Sequence, residues 1–178
     1  MDEVAFIIAL LKDNWTDALS TLSARGDISN SHQPTPHGSD PTITFVDIRS
    51  IEPKKGRRID ADSQSVIVVF EDSNSTEYPT IDYAVRNETF TFTLHIRVLH
   101  RRDFNELTFS RDRLQALYRI ARYIIESNAL RPTVYDGSTV LDSAELIKLT
   151  GRSEANDRGK RLLGYRMSIE LKRFGRNI

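Results

Sequence analysis

From Glu88 onward the chain alternates apolar and polar residues without a break. Phe90, Phe92, Leu94, Ile96 and Val98 fall on every second position, and Thr89, Thr91, Thr93, His95 and Arg97 take the places between them. Period two is the signature of a strand with one buried face. At about 3.3 Å per residue the run can extend roughly 40 Å, so other strands have room to pair along most of it. Ser110 then stands where an N-cap is wanted. Leu114, Leu117, Tyr118, Ala121, Ile124 and Ile125 follow at helical spacing, and Asn128 and Pro132 supply the stop. A long strand, a short link and an amphipathic helix are the predicted centre of the core.

Earlier in the chain, Val4, Ile7, Ile8, Leu11 and Trp15 line one face of an opening helix, which Asp2 is placed to start and residues 16–23 can continue. Residues 24–41 lose all periodicity and read as a long loop. Residues 42–49 predict a first strand, and residues 53–58 a basic turn. Residues 65–70 form a β-branched apolar run suited to a central strand covered on both faces. The polar, acidic stretch 71–87 reads as a second extended connection. Beyond the main helix, Asp136-Gly137 marks a turn, residues 144–150 a short strand and residues 151–161 a polar turn. Leu163, Tyr165, Met167, Ile169 and Leu171 then alternate in a final strand, which completes a closing hairpin. The predicted fold is a single α+β domain over residues 1–178: a mostly antiparallel sheet of about four to five strands, two α-helices packed on it, and long loop arms.

Both helices carry apolar residues away from their main stripes. Phe6 and Leu10 on the first, and Ala116, Ile120 and Tyr123 on the second, lie where a monomer would place charge. A second apolar face needs cover. The expectation is a subunit interface that includes Phe6, Leu10, Ile120 and Tyr123, or burial under the long loops.

Charge refines this picture. The chain holds 25 basic and 25 acidic residues, so no net field draws it to nucleic acid or to an anionic membrane. Its halves are polarised, however: residues 1–100 hold 15 acids and 9 bases (15 − 9, net −6), and residues 101–178 hold 10 acids and 16 bases (16 − 10, net +6). That division suits head-to-tail packing of like subunits, or two halves neutralising each other within one fold. With no cysteine there is no disulfide or thiolate metal site. The acidic N-terminus and the lack of any apolar run near 18 residues lead to the expectation of a soluble, non-secreted protein with no membrane partner.

Catalytic patterns are sparse. No glycine-rich phosphate cradle, nucleophile elbow or His-Glu-x-x-His pattern occurs. His32 and His37 fall in the first long loop, and His95 and His100 on opposite faces of their strand, so no pair has ligand spacing. Neither a cofactor nor a metal is expected. Asp82, Glu170 and Lys172 could form a metal-dependent nuclease set, although Glu-x-Lys on a polar strand face is also ordinary cross-strand pairing. Arg25-Gly26-Asp27 matches an integrin-binding tripeptide too short to carry weight. Lys54, Lys55, Arg57 and Arg58 form the sharpest charged cluster, compact enough to lie against a phosphate backbone but with no interleaved aromatic to stack a base. Equally, a solvated turn between strands is often lysine-rich.

The order of elements resembles that of the tail terminator proteins of long-tailed viruses. The likeness rests on the N-terminal helix ending in Trp15, strands through Phe45 and Val66–Phe70, the run from Phe90 to Val98, the helix from Asp112 to Ile120 and the final hairpin from Tyr165 to Leu171. The connections at 24–41 and 71–87 are longer than such a fold requires. The resemblance implies a structural virion protein and not an enzyme: a ring, hexameric in that family, that caps the tail tube, ends its polymerisation and joins tail to neck. Its implied partners are further copies of itself, the tail tube protein and a head-side connector or stopper, with DNA passing non-specifically. Lys54, Lys55, Arg57 and Arg58 would face that DNA. The implied location is the virion, with assembly in the host cytoplasm. Other readings are a neighbouring neck or tail-completion protein of similar fold, and the metal-dependent nuclease.

Overall fold

The alternating run does become the spine of a sheet. A computed structural model describes residues 2–28, 46–50, 65–79, 85–99, 107–156 and 162–176. In chain order the elements are α1 (Glu3–Ala24), β1 (Asp47–Ser50), β2 (Ser65–Glu77), β3 (Val85–Leu99), α2 (Leu107–Ser127), β4 (Thr133–Asp136), β5 (Thr139–Ser143), β6 (Leu146–Glu154) and β7 (Leu162–Arg176). β3 pairs antiparallel with β7 along its whole length, from Val85 opposite Arg176 to Leu99 opposite Leu162. On its other side it pairs antiparallel with β2, from Val98 opposite Ser65 to Asn87 opposite Glu77. The five-stranded sheet has the order β1-β2-β3-β7-β6, with only β1 parallel to its neighbour, and β4 and β5 form a separate two-stranded sheet. The fold is α+β.

One face of the sheet holds the core. Phe92, Leu94, Ile96 and Val98 of β3 meet Met167, Ile169 and Leu171 of β7, Ile67 and Val69 of β2, and Ile147 of β6 in one cluster with both helices. Each large apolar side chain removed from water in this way contributes about 1.5–3 kcal/mol before the cost of ordering it. Val66 and Val68, on the other side of β2, are also buried, as the continuous apolar run predicts.

Helix ends follow local chemistry in one case and depart from it in another. The Asp2 carboxylate accepts the backbone N–H of Ala5 at 2.6 Å and caps α1. At the other end Gly26, at φ +74°, donates to the Ser23 carbonyl, and Asp27 donates to Leu22. These are the paired bonds of a Schellman cap, so Arg25-Gly26-Asp27 is a helix stop. Ser110, by contrast, lies inside the first turn of α2, which begins at Leu107. An N-cap preference is worth about 1 kcal/mol, small enough for the surrounding chain to override.

The polar segment 71–87 also differs from its expected form. Residues Glu71–Glu77 continue β2 and pair with β3, beyond a bulge between Glu71 and Ser73. Hydroxyl ladders support this extension: Ser73 Oγ and Thr91 Oγ1 lie 2.7 Å apart, and Thr93 Oγ1 donates to Asp72 Oδ2 at 2.6 Å. Strand pairing here overrides the low β-propensity of Asp, Ser and Asn, because the ladder satisfies the backbone while the side chains stay in water. Likewise β6 runs on to Glu154 through part of the stretch expected as a turn.

The second apolar faces prove internal. Phe6, Leu10 and Ile120 are fully buried within this chain, and Ala116 nearly so. α1 contacts α2, β1, β2 and β4, so its N-terminal half is enclosed over a wider arc than a single stripe. Over the Phe6 ring sits the Arg173 guanidinium, 4.9 Å from its centroid. The expected interface at Phe6, Leu10 and Ile120 is thereby corrected: their cover comes from elements distant in sequence.

Candidate interaction surfaces

β4 and β5 form a hairpin whose turn places Gly137 at φ +59°, the first central position of a two-residue loop between paired Asp136 and Thr139. The strands are too short to bury a face of their own. Tyr135, Val140 and Leu141 are 51%, 56% and 52% exposed, and Leu130 at the hairpin's base is 78% exposed. Arg131, beside it, adopts the left-handed conformation at φ +53°, uncommon for a residue with a Cβ. Its N–H donates to the Glu145 carbonyl at 3.0 Å, and its carbonyl accepts Thr133 Oγ1 at 3.0 Å. Between the hairpin and the helices lies a polar cleft of about 460 Å³, bounded by Asp13 and Asn14 of α1, Asn128, and Arg131, Thr133 and Tyr135.

A single arginine anchors this hairpin to the body. Arg173 of β7 makes a bidentate pair with Asp142 of β5, both contacts at 2.9 Å, and donates to the Ser143 carbonyl at 2.8 Å. Its Nε lies 3.1 Å from Glu3 Oε1 at the start of α1. Fork-to-fork geometry makes this the strong form of ion pair. The hydrogen bonds from Arg173 hold the Asp142 carboxyl below its ordinary pKa.

A second arginine is arranged differently. Arg152 of β6 lies 4.0 Å above the Tyr165 ring and 4.5 Å from the Tyr118 ring, and these two rings meet edge to face at 5.6 Å. Tyr165 donates its hydroxyl to Gln115 Oε1 at 3.2 Å, which fixes the platform to α2. Arg152 is exposed and has no ion-pair partner among the described residues. Exposed Arg111, Arg119 and Arg122 continue along the same helix, with Arg122 paired to Glu126 at 2.7 Å.

Other residues singled out in the sequence take structural roles. His95 stacks at 4.6 Å on Phe70, and burial followed by the charges of Arg97 and Arg166 lowers its pKa to about 4. Glu170 lies 2.9 Å from Lys148 and 3.5 Å from Lys172, the cross-strand pairing that Glu-x-Lys allows, and Lys148 leads in lowering its pKa. No group of His, Cys, Asp and Glu among the described residues is placed to hold a metal. Tyr123 is partly buried with Arg25 5.5 Å above its ring. Lys54, Lys55, Arg57, Arg58, Asp82, His32, His37 and His100 lie outside the described residues. No described helix is long and apolar enough to cross a membrane. No protein-family model and no curated protein sequence matches the chain.

The hairpin patch and the Arg152 platform leave little trace in the sequence. Asp136-Gly137 marks the turn, but strands of four and five residues are too short for a periodic signal. The two tyrosines stand 47 positions apart (165 − 118) and meet only through the packing of α2 on the sheet.

Proposed function

We propose that this chain is a structural protein that assembles into a ring at the head-proximal end of a virus tail tube, ending tube growth and joining tail to neck. The observation that carries the reading is the β4–β5 hairpin. It presents Leu130, Tyr135, Val140 and Leu141, each more than half exposed, on an element held rigidly to the body by Arg173. Neighbouring apolar side chains held out on a rigid element suit a partner protein's surface. The element order that resembles tail terminators supplies the kind of partner: the last ring of a tube, or the connector above it. In this reading the chain acts by shape and contact. DNA passes through the ring without base recognition, with Lys54, Lys55, Arg57 and Arg58 toward the channel.

The test is a growth assay with the tail tube protein of the same virus. Added in small molar excess, the purified chain is expected to shorten tubes and to sit as a ring on one end in negative-stain images. A variant with Tyr135→Ser, Val140→Ser and Leu141→Ser keeps its fold and loses tube capping. Unchanged tube lengths with the parent chain would refute the reading.

A further inference from the structure

The two margins of the main sheet carry opposite charge. β1 pairs only with Val66–Val69, so beyond Phe70 the described part of β2 is the sheet's margin. That margin reads Glu71-Asp-Ser-Asn-Ser-Thr-Glu77, exposed throughout, with three acids and no base. Glu77 has no ion-pair partner among the described residues. β6 forms the opposite margin, and there Arg152 lies on its tyrosine platform beside exposed Arg111 and Arg119 of α2. The stacked guanidinium is pre-ordered, so little side-chain entropy remains to be lost when its free N–H groups meet a carboxylate.

From this complementarity we infer that the acidic margin of β2 in one copy docks on the Arg152 platform of the next. The occupant is a second copy of this chain, because the matching acids lie on the chain itself, at the far edge of the same sheet. Unlike surfaces in contact make a heterologous interface, which repeats in one direction and closes into a ring when the rotation allows. The bulges at Glu71/Ser73 and Leu149/Gly151 interrupt both margins, so side-chain charge and not continuous strand pairing joins the copies. This inference rests on the ring reading and supplies its copy-to-copy contact.

Sedimentation of the full chain at 50 and 500 mM salt, together with two charge reversals, tests it. The parent is expected to associate and to weaken steeply with salt, because the Debye length shrinks from about 14 Å to about 4 Å over that range. Arg152→Glu, and separately Glu71→Lys with Glu77→Lys, should each weaken association at least about tenfold while circular dichroism stays that of the parent. A chain carrying all three substitutions restores the attraction with its sign exchanged, and recovers association. That rescue excludes misfolding as the cause of the losses. A parent that stays monomeric at 50 mM salt would overturn the contact, as would single reversals without effect. Loss of binding to a fluorescent duplex DNA by Arg152→Glu, with association unchanged, would assign the platform to nucleic acid instead. Association through this contact without tube capping would leave the contact standing and the proposed function refuted. Capping rings unaffected by the reversals would do the opposite.

Discussion

His95 shows how one side chain ties the sheet to pH. In the unfolded chain it titrates near 6.5, and in the fold near 4, because it is half-buried against Phe70 with Arg97 and Arg166 facing it and only Asp72 opposing them. Between those values the unfolded state binds a proton that the folded state refuses. Stability present above the unfolded pKa is therefore lost as pH falls toward 4, and the loss levels off once the folded state also takes the proton. The shift would be worth more in a fully buried site, and at half exposure the contribution is about 1–2 kcal/mol. His95→Gln keeps a polar group there and removes the proton. Denaturant unfolding at pH 7, 5.5 and 4.5 should show the variant losing less stability than the parent by that amount, whereas parallel losses would mean that His95 is charged in the fold.

Among the elements, the acidic extension of β2 behaves unlike the loop its composition suggests. Its residues are all exposed, yet its backbone is laddered to β3, which is itself laddered to β7. Protection should follow the ladder and not side-chain burial. Hydrogen exchange resolved by residue in the monomer is expected to alternate along Glu71–Glu77, with amides that point to β3 slower by about tenfold or more than those that point outward. Uniformly fast exchange would show a strand that frays from Phe70 onward.

At the scale of the molecule, Arg173 joins three regions that the chain keeps far apart. One guanidinium holds the end of β7, Asp142 of β5 and Glu3 of α1, and lies over Phe6. Arg173→Met preserves the apolar stem but strands the Asp142 carboxylate, and should cost about 2–3 kcal/mol in urea unfolding, less than a fully buried pair because water still reaches the site. Adding Asp142→Leu removes the stranded charge and should recover part of that loss. The Arg173→Met change also loosens the hairpin that presents Tyr135 and Val140, so partner capture should fall more than stability alone explains.

Elements with a face of their own are legible in the residue pattern alone. The alternation from Phe90 to Val98 and from Leu163 to Leu171 predicts β3 and β7 as half-buried strands, and the apolar run at 65–70 predicts a strand covered on both sides. Asp2 as a helix start, the stripe of α2 and the α+β class follow from the same short-range rules. Three things are decided only by tertiary structure. Phe6, Leu10 and Ile120 are apolar wherever they point, and the packing of α2, β4 and β7 around α1 makes them core. Glu71–Glu77 has the composition of a loop, and pairing with β3 makes it strand. Tyr118, Arg152 and Tyr165 carry no shared pattern along the chain and form one platform only because α2 lies on β6 and β7. Periodicity encodes which side of an element avoids water, whereas cover, pairing and side-chain clusters depend on contacts between elements distant in sequence.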